Sequence, residues 1–177
     1  MLNLQTRGVP RLIARAVAWL VTAAGVGSTF IPGAGPWRFD ERLAPETSAT
    51  SHDPERCLIE RAWFDTRPRL RVDGPTFGWV DSAFGVCAQL NAPGFLESIT
   101  TPVLIGSPQQ ESFVSPRAAR AAAARLPVCR LVEFPESRHE IFLENDAIRD
   151  RWLAEIDAFI SAHIRPMPQP QRAVGCP

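Results

Sequence analysis

The sequence predicts an α/β protein: parallel strands joined by a crossover helix and closed by a C-terminal helix, with a mainly helical region before them. Three observations predict it. Residues 102–107 and 130–134 form two short apolar runs, each followed by a polar loop. Between them lies an Ala-rich stretch, 116–126, opened by Ser115-Pro116. After the second loop comes a long segment with apolar residues at helical spacing. Strand, loop, helix, strand, loop, helix is the order of a parallel crossover unit.

In chain order, Leu12, Ile13, Ala16, Val17, Leu20 and Val21 recur at helical spacing within residues 9–24. Pro10 suits a first turn, and Gly25 and Gly27 suit an ending. The uninterrupted apolar part is shorter than the roughly 20 residues a membrane span requires. A helix packed on its own protein is the main reading. The alternatives are a signal peptide, suggested by Arg7, Arg11 and Arg15 ahead of small residues, and a helix lying on a lipid surface. Residues 28–56 read as loop, punctuated by Pro32, Gly33, Gly35, Pro36, Pro45 and Pro54. The neighbours His52 and Asp53 in it read as solvated surface. Residues 57–72 carry Leu58, Ile59, Ala62 and Trp63, enough for a turn or two of helix ending near Pro68.

Thr76 can cap a helix over residues 77–90, with Val80, Ala83, Phe84 and Cys87 as its buried stripe. Residues 103–106 are apolar on both faces, as a strand inside a parallel sheet is. Ser115 at the N-cap and Pro116 at the first helical position start the crossover helix. Residues 129–134 form the second strand. Asn145 or Asp146 caps the last helix, whose apolar stripe is Ile148, Trp152, Ile156, Phe159 and Ile160. His163 near its end suits the helix dipole and needs no catalytic role.

Composition excludes several function classes. One domain is expected from 177 residues, and the zero formal net charge argues against nucleic acid as a partner. All basic residues are Arg, which reads as genomic composition. Cys57, Cys87, Cys129 and Cys176 are scattered, without metal-ligand spacing, so no metal is expected. Such thiols suit a reducing, cytoplasmic compartment, with peripheral contact to a membrane if residues 9–24 lie on lipid.

His139 is the leading candidate catalytic residue. It follows a strand end, where open α/β sheets place their chemistry. Its orienting acid should stand at a neighbouring strand end. Glu111 follows the preceding strand, 28 residues upstream; Glu136, Glu140 and Glu144 are nearer in sequence, which is not nearness in space.

The runs Thr101-Pro102-Val103-Leu104-Ile105, Glu111-Ser112-Phe113-Val114 and Ser137-Arg138-His139-Glu140 before a final helix carry a family resemblance. So do residues 50–56 and 74–79, which look like a cap. The sequence resembles the α/β-hydrolase superfamily, in its lysophospholipase and monoacylglycerol-lipase-like branch, over roughly residues 1–163. The resemblance implies the C-terminal part of an α/β-hydrolase fold preceded by a mainly helical cap. Residues 1–97 would be the cap region, 98–164 the C-terminal part of the core and 165–177 a disordered tail. In that family an Asp stands where this chain has Glu111. Glu reaches further by one C–C bond, about 1.5 Å, so the geometry must compensate.

The family's nucleophile elbow, Gly-x-Ser-x-Gly, lies upstream of the cap. These 177 residues hold no such motif. Residues 25–29 fail the pattern, and Pro108 after Ser107 removes a backbone N–H that an oxyanion hole would use. Ser28, Ser107 and Ser112 have no elbow around them. Met1-Leu2-Asn3-Leu4 resembles the family just after a sheet strand, midway through the enzyme. The resemblance therefore implies a truncated serine hydrolase of lysophospholipid or monoacylglycerol esters, with His139 as base and acid and Glu111 orienting it. Its substrate would be a lipid-like ester and its missing partner the N-terminal half of the hydrolase; the resemblance implies no cofactor. Alone, it is expected to be inactive. The alternatives are a non-catalytic binding protein derived from the cap, and another α/β-hydrolase reaction such as peptide or epoxide hydrolysis.

Overall fold

The computed structural model describes residues 8–38 and 48–164, with the Glu60 side chain excluded. The expectations for Met1-Leu2-Asn3-Leu4, Cys176 and a disordered tail at 165–177 lie outside the described residues.

Helix α1, Arg11–Ala23, forms where the helical spacing places it and packs against α3, Phe77–Asn91. Its inward face differs from the expected one. Ala18 is buried, with Ala14, Val21 and Thr22 half-buried, while Leu12, Ile13, Val17 and Leu20 face outward. Small residues let two helices approach closely, and among the described residues only one narrow strip of α1 is buried or half-buried. The chain after α1 runs back antiparallel to the entry of α3. Phe30 bridges Thr76, and the Gly78 N–H donates to the Gly27 carbonyl at 2.8 Å. A Cβ on Gly78 would lie 3.1 Å from that carbonyl oxygen, so glycine permits the approach. Thr76 caps α3 by accepting the Trp79 N–H, and Phe84 and Cys87 are its buried residues; Val80 and Ala83 are half-buried.

Helix α2, Pro54–Thr66, starts earlier and runs longer than its apolar pattern suggests. Asp53, read from sequence as solvated, is its N-cap and accepts the Arg56 N–H, a bond typically worth about 1 kcal/mol. Pro54 then takes the first helical position, where its missing N–H costs nothing. Among the described side chains of α2 only Cys57 is buried; Leu58, Ile59 and Trp63 are exposed.

Strands β1, Val103–Pro108, and β2, Cys129–Phe134, pair in parallel with Val103 opposite Cys129 and Pro108 opposite Phe134. Helix α4, Pro116–Ala123, connects them, capped by Ser115 and burying Ala122. Helix α5, Asp146–His163, is capped by Asn145 and lays Ile148 and Trp152 on the sheet. Val132, Phe134, Ile141, Ile148 and Trp152 make the core, with Leu104 and Ile156 packed against it; Ile160 is exposed. Phe134 is fully buried, edge-on to Trp152. Gly106 lets α5 reach the strand: a Cβ there would stand 2.9 Å from Ile141 Cδ1 and 3.0 Å from Trp152 Cη2. Among the described residues the sheet has two strands, so most of β1 is only half-buried, unlike a strand inside a wide sheet.

Candidate active site

The strand pairing continues beyond the end of β1. The Gln109 N–H donates to the Phe134 carbonyl and the Gln110 N–H to the Ser137 carbonyl, both at 3.0 Å. This carries the next residue, Glu111, alongside the loop that follows β2. There Glu111 Oε2 lies 2.6 Å from His139 Nδ1. Oε1 accepts the Phe113 N–H at 2.7 Å, a local turn that takes up the length of the glutamate. The Phe113 ring stands edge-on to the imidazole, with centroids 4.8 Å apart. The Glu111 side chain is 1% exposed and the His139 side chain 32%. The pair is a shielded carboxylate behind a ring that still meets solvent.

A carboxylate on Nδ1 selects the tautomer with the proton there and leaves the Nε2 lone pair open to accept a proton. Nε2 lies 3.8 Å from a Glu140 oxygen, beyond hydrogen-bond reach. The structure thus brings together Glu111 and His139. Glu136 and Glu140 are exposed or half-exposed near the loop, and Glu144 turns elsewhere. Ser107 is buried in β1, where its Oγ and carbonyl both accept from Gln109 Nε2. His163 is exposed on α5, bonded to the Phe159 carbonyl. Among the described residues no three His, Cys, Asp or Glu gather as metal ligands would, and no helix is long and apolar enough to cross a membrane.

Sequence reasoning missed a second carboxylate–imidazole pair. Glu144 is fully buried, and its Oε1 lies 3.0 Å from His52 Nδ1. His52, read as solvated, is exposed, and it is also bonded across 92 residues. The available signal was a lone acid directly after Ile141-Phe142-Leu143: a carboxylate drawn into apolar surroundings must find donors.

Over residues 1–146 the chain matches the family model Hydrolase_4, described as serine aminopeptidase, S33. It is 22% identical over 146 residues to a probable lysophospholipase L2 of Haemophilus influenzae, covering 80% of this chain and 44% of that relative. The chain therefore spans less than half the length of that curated relative. Among solved structures it is similar to a soluble variant of monoglyceride lipase from Saccharomyces cerevisiae, in complex with a substrate analog. There the TM-score is 0.62 at 17% identity, over 92% of this chain and 53% of that one. It is also similar to a monoacylglycerol lipase of Paleococcus ferrophilus, with TM-score 0.59 at 19% identity, over 89% and 55%. At such identities the likeness establishes the fold, which is part of an α/β-hydrolase.

Proposed function

Because the chain belongs to the Hydrolase_4 family, serine aminopeptidase S33, we propose that it supplies the cap and the acid–base part of a serine hydrolase. The substrates would be carboxylic esters of lysophospholipids or monoacylglycerols. The reading is carried by one observation, the 2.6 Å contact between Glu111 and His139 at adjacent strand ends. Residues 1–97 would act as the cap and 98–164 as the C-terminal part of the core. The exposed stripe of Leu12, Ile13, Trp19 and Leu20 on α1 suits peripheral contact with a lipid surface.

In this mechanism His139 Nε2 removes the proton from a serine Oγ as that oxygen attacks the ester carbonyl. Glu111 holds the ring and stabilises the imidazolium that forms. His139 then gives the proton to the departing alcohol oxygen. In the second half it draws a proton from the water that attacks the acyl carbonyl, and returns that proton to the serine Oγ as the carboxylic acid departs. The serine and the oxyanion donors would come from a segment with Gly-x-Ser-x-Gly, a motif these 177 residues do not contain. That sequence fact also favours a second reading, a non-catalytic binding protein built on the cap.

The test is hydrolysis of p-nitrophenyl butyrate and of a lysophospholipid. The chain is assayed alone and with a supplied upstream half bearing the motif, each beside His139→Ala. Turnover that needs both the upstream half and His139 supports the enzyme reading. No turnover in the paired sample, with lysophospholipid still bound, supports the binding reading. Turnover by the chain alone near the median enzyme rate of about 10 s⁻¹, abolished by His139→Ala, overturns the division of labour.

A further inference from the structure

We propose that Glu144 is a positioning residue for His139, held in place by the segment 48–53 that leads into α2. The proposal rests on the acid–base reading of His139 and deepens it. The backbone before and after His139 is pinned by partners distant from the β2 loop, at the N–H groups of its two sequence neighbours. On one side the Arg138 N–H donates to Glu144 Oε1 at 2.7 Å; on the other the Glu140 N–H donates to the Thr50 carbonyl at 2.8 Å. Glu144 is itself clamped. Its Oε2 accepts the His52 N–H at 3.1 Å, and its Oε1 faces His52 Nδ1 at 3.0 Å.

The clamp closes on itself. Ser51 Oγ donates to the Leu143 carbonyl at 2.5 Å, beside Glu144, and accepts the Asp53 N–H at 2.9 Å. The Arg138 guanidinium donates to the Ser48 and Ser51 carbonyls at 2.6 and 3.0 Å, rather than to Glu144. The buried carboxylate is therefore satisfied by two backbone N–H groups and one imidazole. A carboxylate fixed in this way has one position, because any shift strands a buried acceptor. Backbone held on both sides of His139 gives the ring one approach to Glu111. A reacting group displaced by 1 Å can lose about 100-fold in rate, so this support bears directly on the proposed chemistry.

The test reads the ring, not turnover. In the ¹⁵N-histidine-labelled 177-residue chain there are only three imidazoles. The low-field Nδ1 proton of His139, bonded to Glu111, is assigned by its loss in His139→Gln. In Glu144→Gln it should exchange with solvent about ten-fold faster, the factor expected for losing one hydrogen bond to a charged group. His163 and the helical circular dichroism should not change. His52→Ala, which removes the ring and leaves both backbone donors, should show the same direction and gives the answer if Glu144→Gln does not fold. His52→Asn returns a donor near the Nδ1 position and should restore slow exchange, which a general loss of stability would not. Unchanged His139 exchange in folded His52→Ala and Glu144→Gln overturns the proposal. A completed hydrolase without activity, but with this coupling intact, would instead count against the function proposed for His139.

Discussion

Glu111 and His139 meet through Oε2 and Nδ1 at 2.6 Å although 28 residues separate them. The meeting follows from strand register: the bonds from Gln109 and Gln110 to the β2 loop set the two residues side by side. In an active, completed hydrolase, Glu111→Gln should lower kcat by about 10⁴, the cost of losing a triad acid. Glu111→Asp keeps the charge but withdraws it by about 1.5 Å, so its loss should be smaller, about 100-fold. Steady-state kinetics on p-nitrophenyl butyrate measures both. Equal activity in Glu111→Gln and the unchanged chain would remove Glu111 from the mechanism.

Gly106→Ala should destabilise the fold by about 1–3 kcal/mol, the usual cost of overpacking. The new methyl would meet the Trp152 ring and Ile141 Cδ1, within 3.0 Å of each. The isoleucine end can turn aside; the indole, wedged between Phe134 and Phe142, cannot move without lifting α5. Urea unfolding followed by tryptophan fluorescence reads the shift in midpoint. A midpoint equal to that of the parent chain would mean α5 sits farther from β1 than described.

Arg125 ties the crossover helix to the segment before β1. Its Nε and Nη2 donate to the two oxygens of Glu97 at 2.7 and 2.9 Å. The guanidinium holds the Glu97 carboxyl down at about 2. An unfolded Glu titrates near 4.3, so the folded value is depressed. The stabilisation is therefore fully present above the unfolded value and is lost as pH falls towards about 2. Glu97→Gln should differ most from the parent in urea midpoint above pH 5, and the two should converge on acidification. Half the Glu97 side chain is in solvent, so added salt should shrink the difference. A gap that persists unchanged at pH 2 would contradict the assignment.

Contact of α1 with lipid predicts that Leu12→Glu with Leu20→Glu weakens binding to phosphatidylcholine vesicles by at least ten-fold. Each leucine is worth about 1.5–3 kcal/mol when fully buried, and both are exposed in the chain. Co-sedimentation measures the partition. Undiminished binding by the double variant would leave the stripe without a role at the lipid surface.

Much of this architecture is legible in local sequence. Ser115, Thr76 and Asn145 mark helix starts by the donors they satisfy, and the apolar runs at 103–106 and 129–134 are strands in the structure. Position after a strand end also singled out His139 and Glu111, and the two are in contact. Three features were not legible. The outward Leu12–Leu20 stripe depends on which face of α1 finds α3. Asp53 starts α2 by a cap on a segment with little apolar pattern. The roles of His52 and Glu144 depend on a bond across 92 residues.

Helix periodicity, the caps at Thr76, Ser115 and Asn145, and strand character were thus determined by the sequence itself, because each is decided by groups within about a turn of one another. The partner of each buried carboxylate was decided only by the tertiary structure. A buried carboxylate must be met by donors wherever the folded chain supplies them. Position after the preceding strand favoured Glu111 over Glu136, Glu140 and Glu144, which are nearer to His139 in sequence, but position alone makes no contact. Strand register gave Glu111 the ring, while the fully buried Glu144 took the backbone around it.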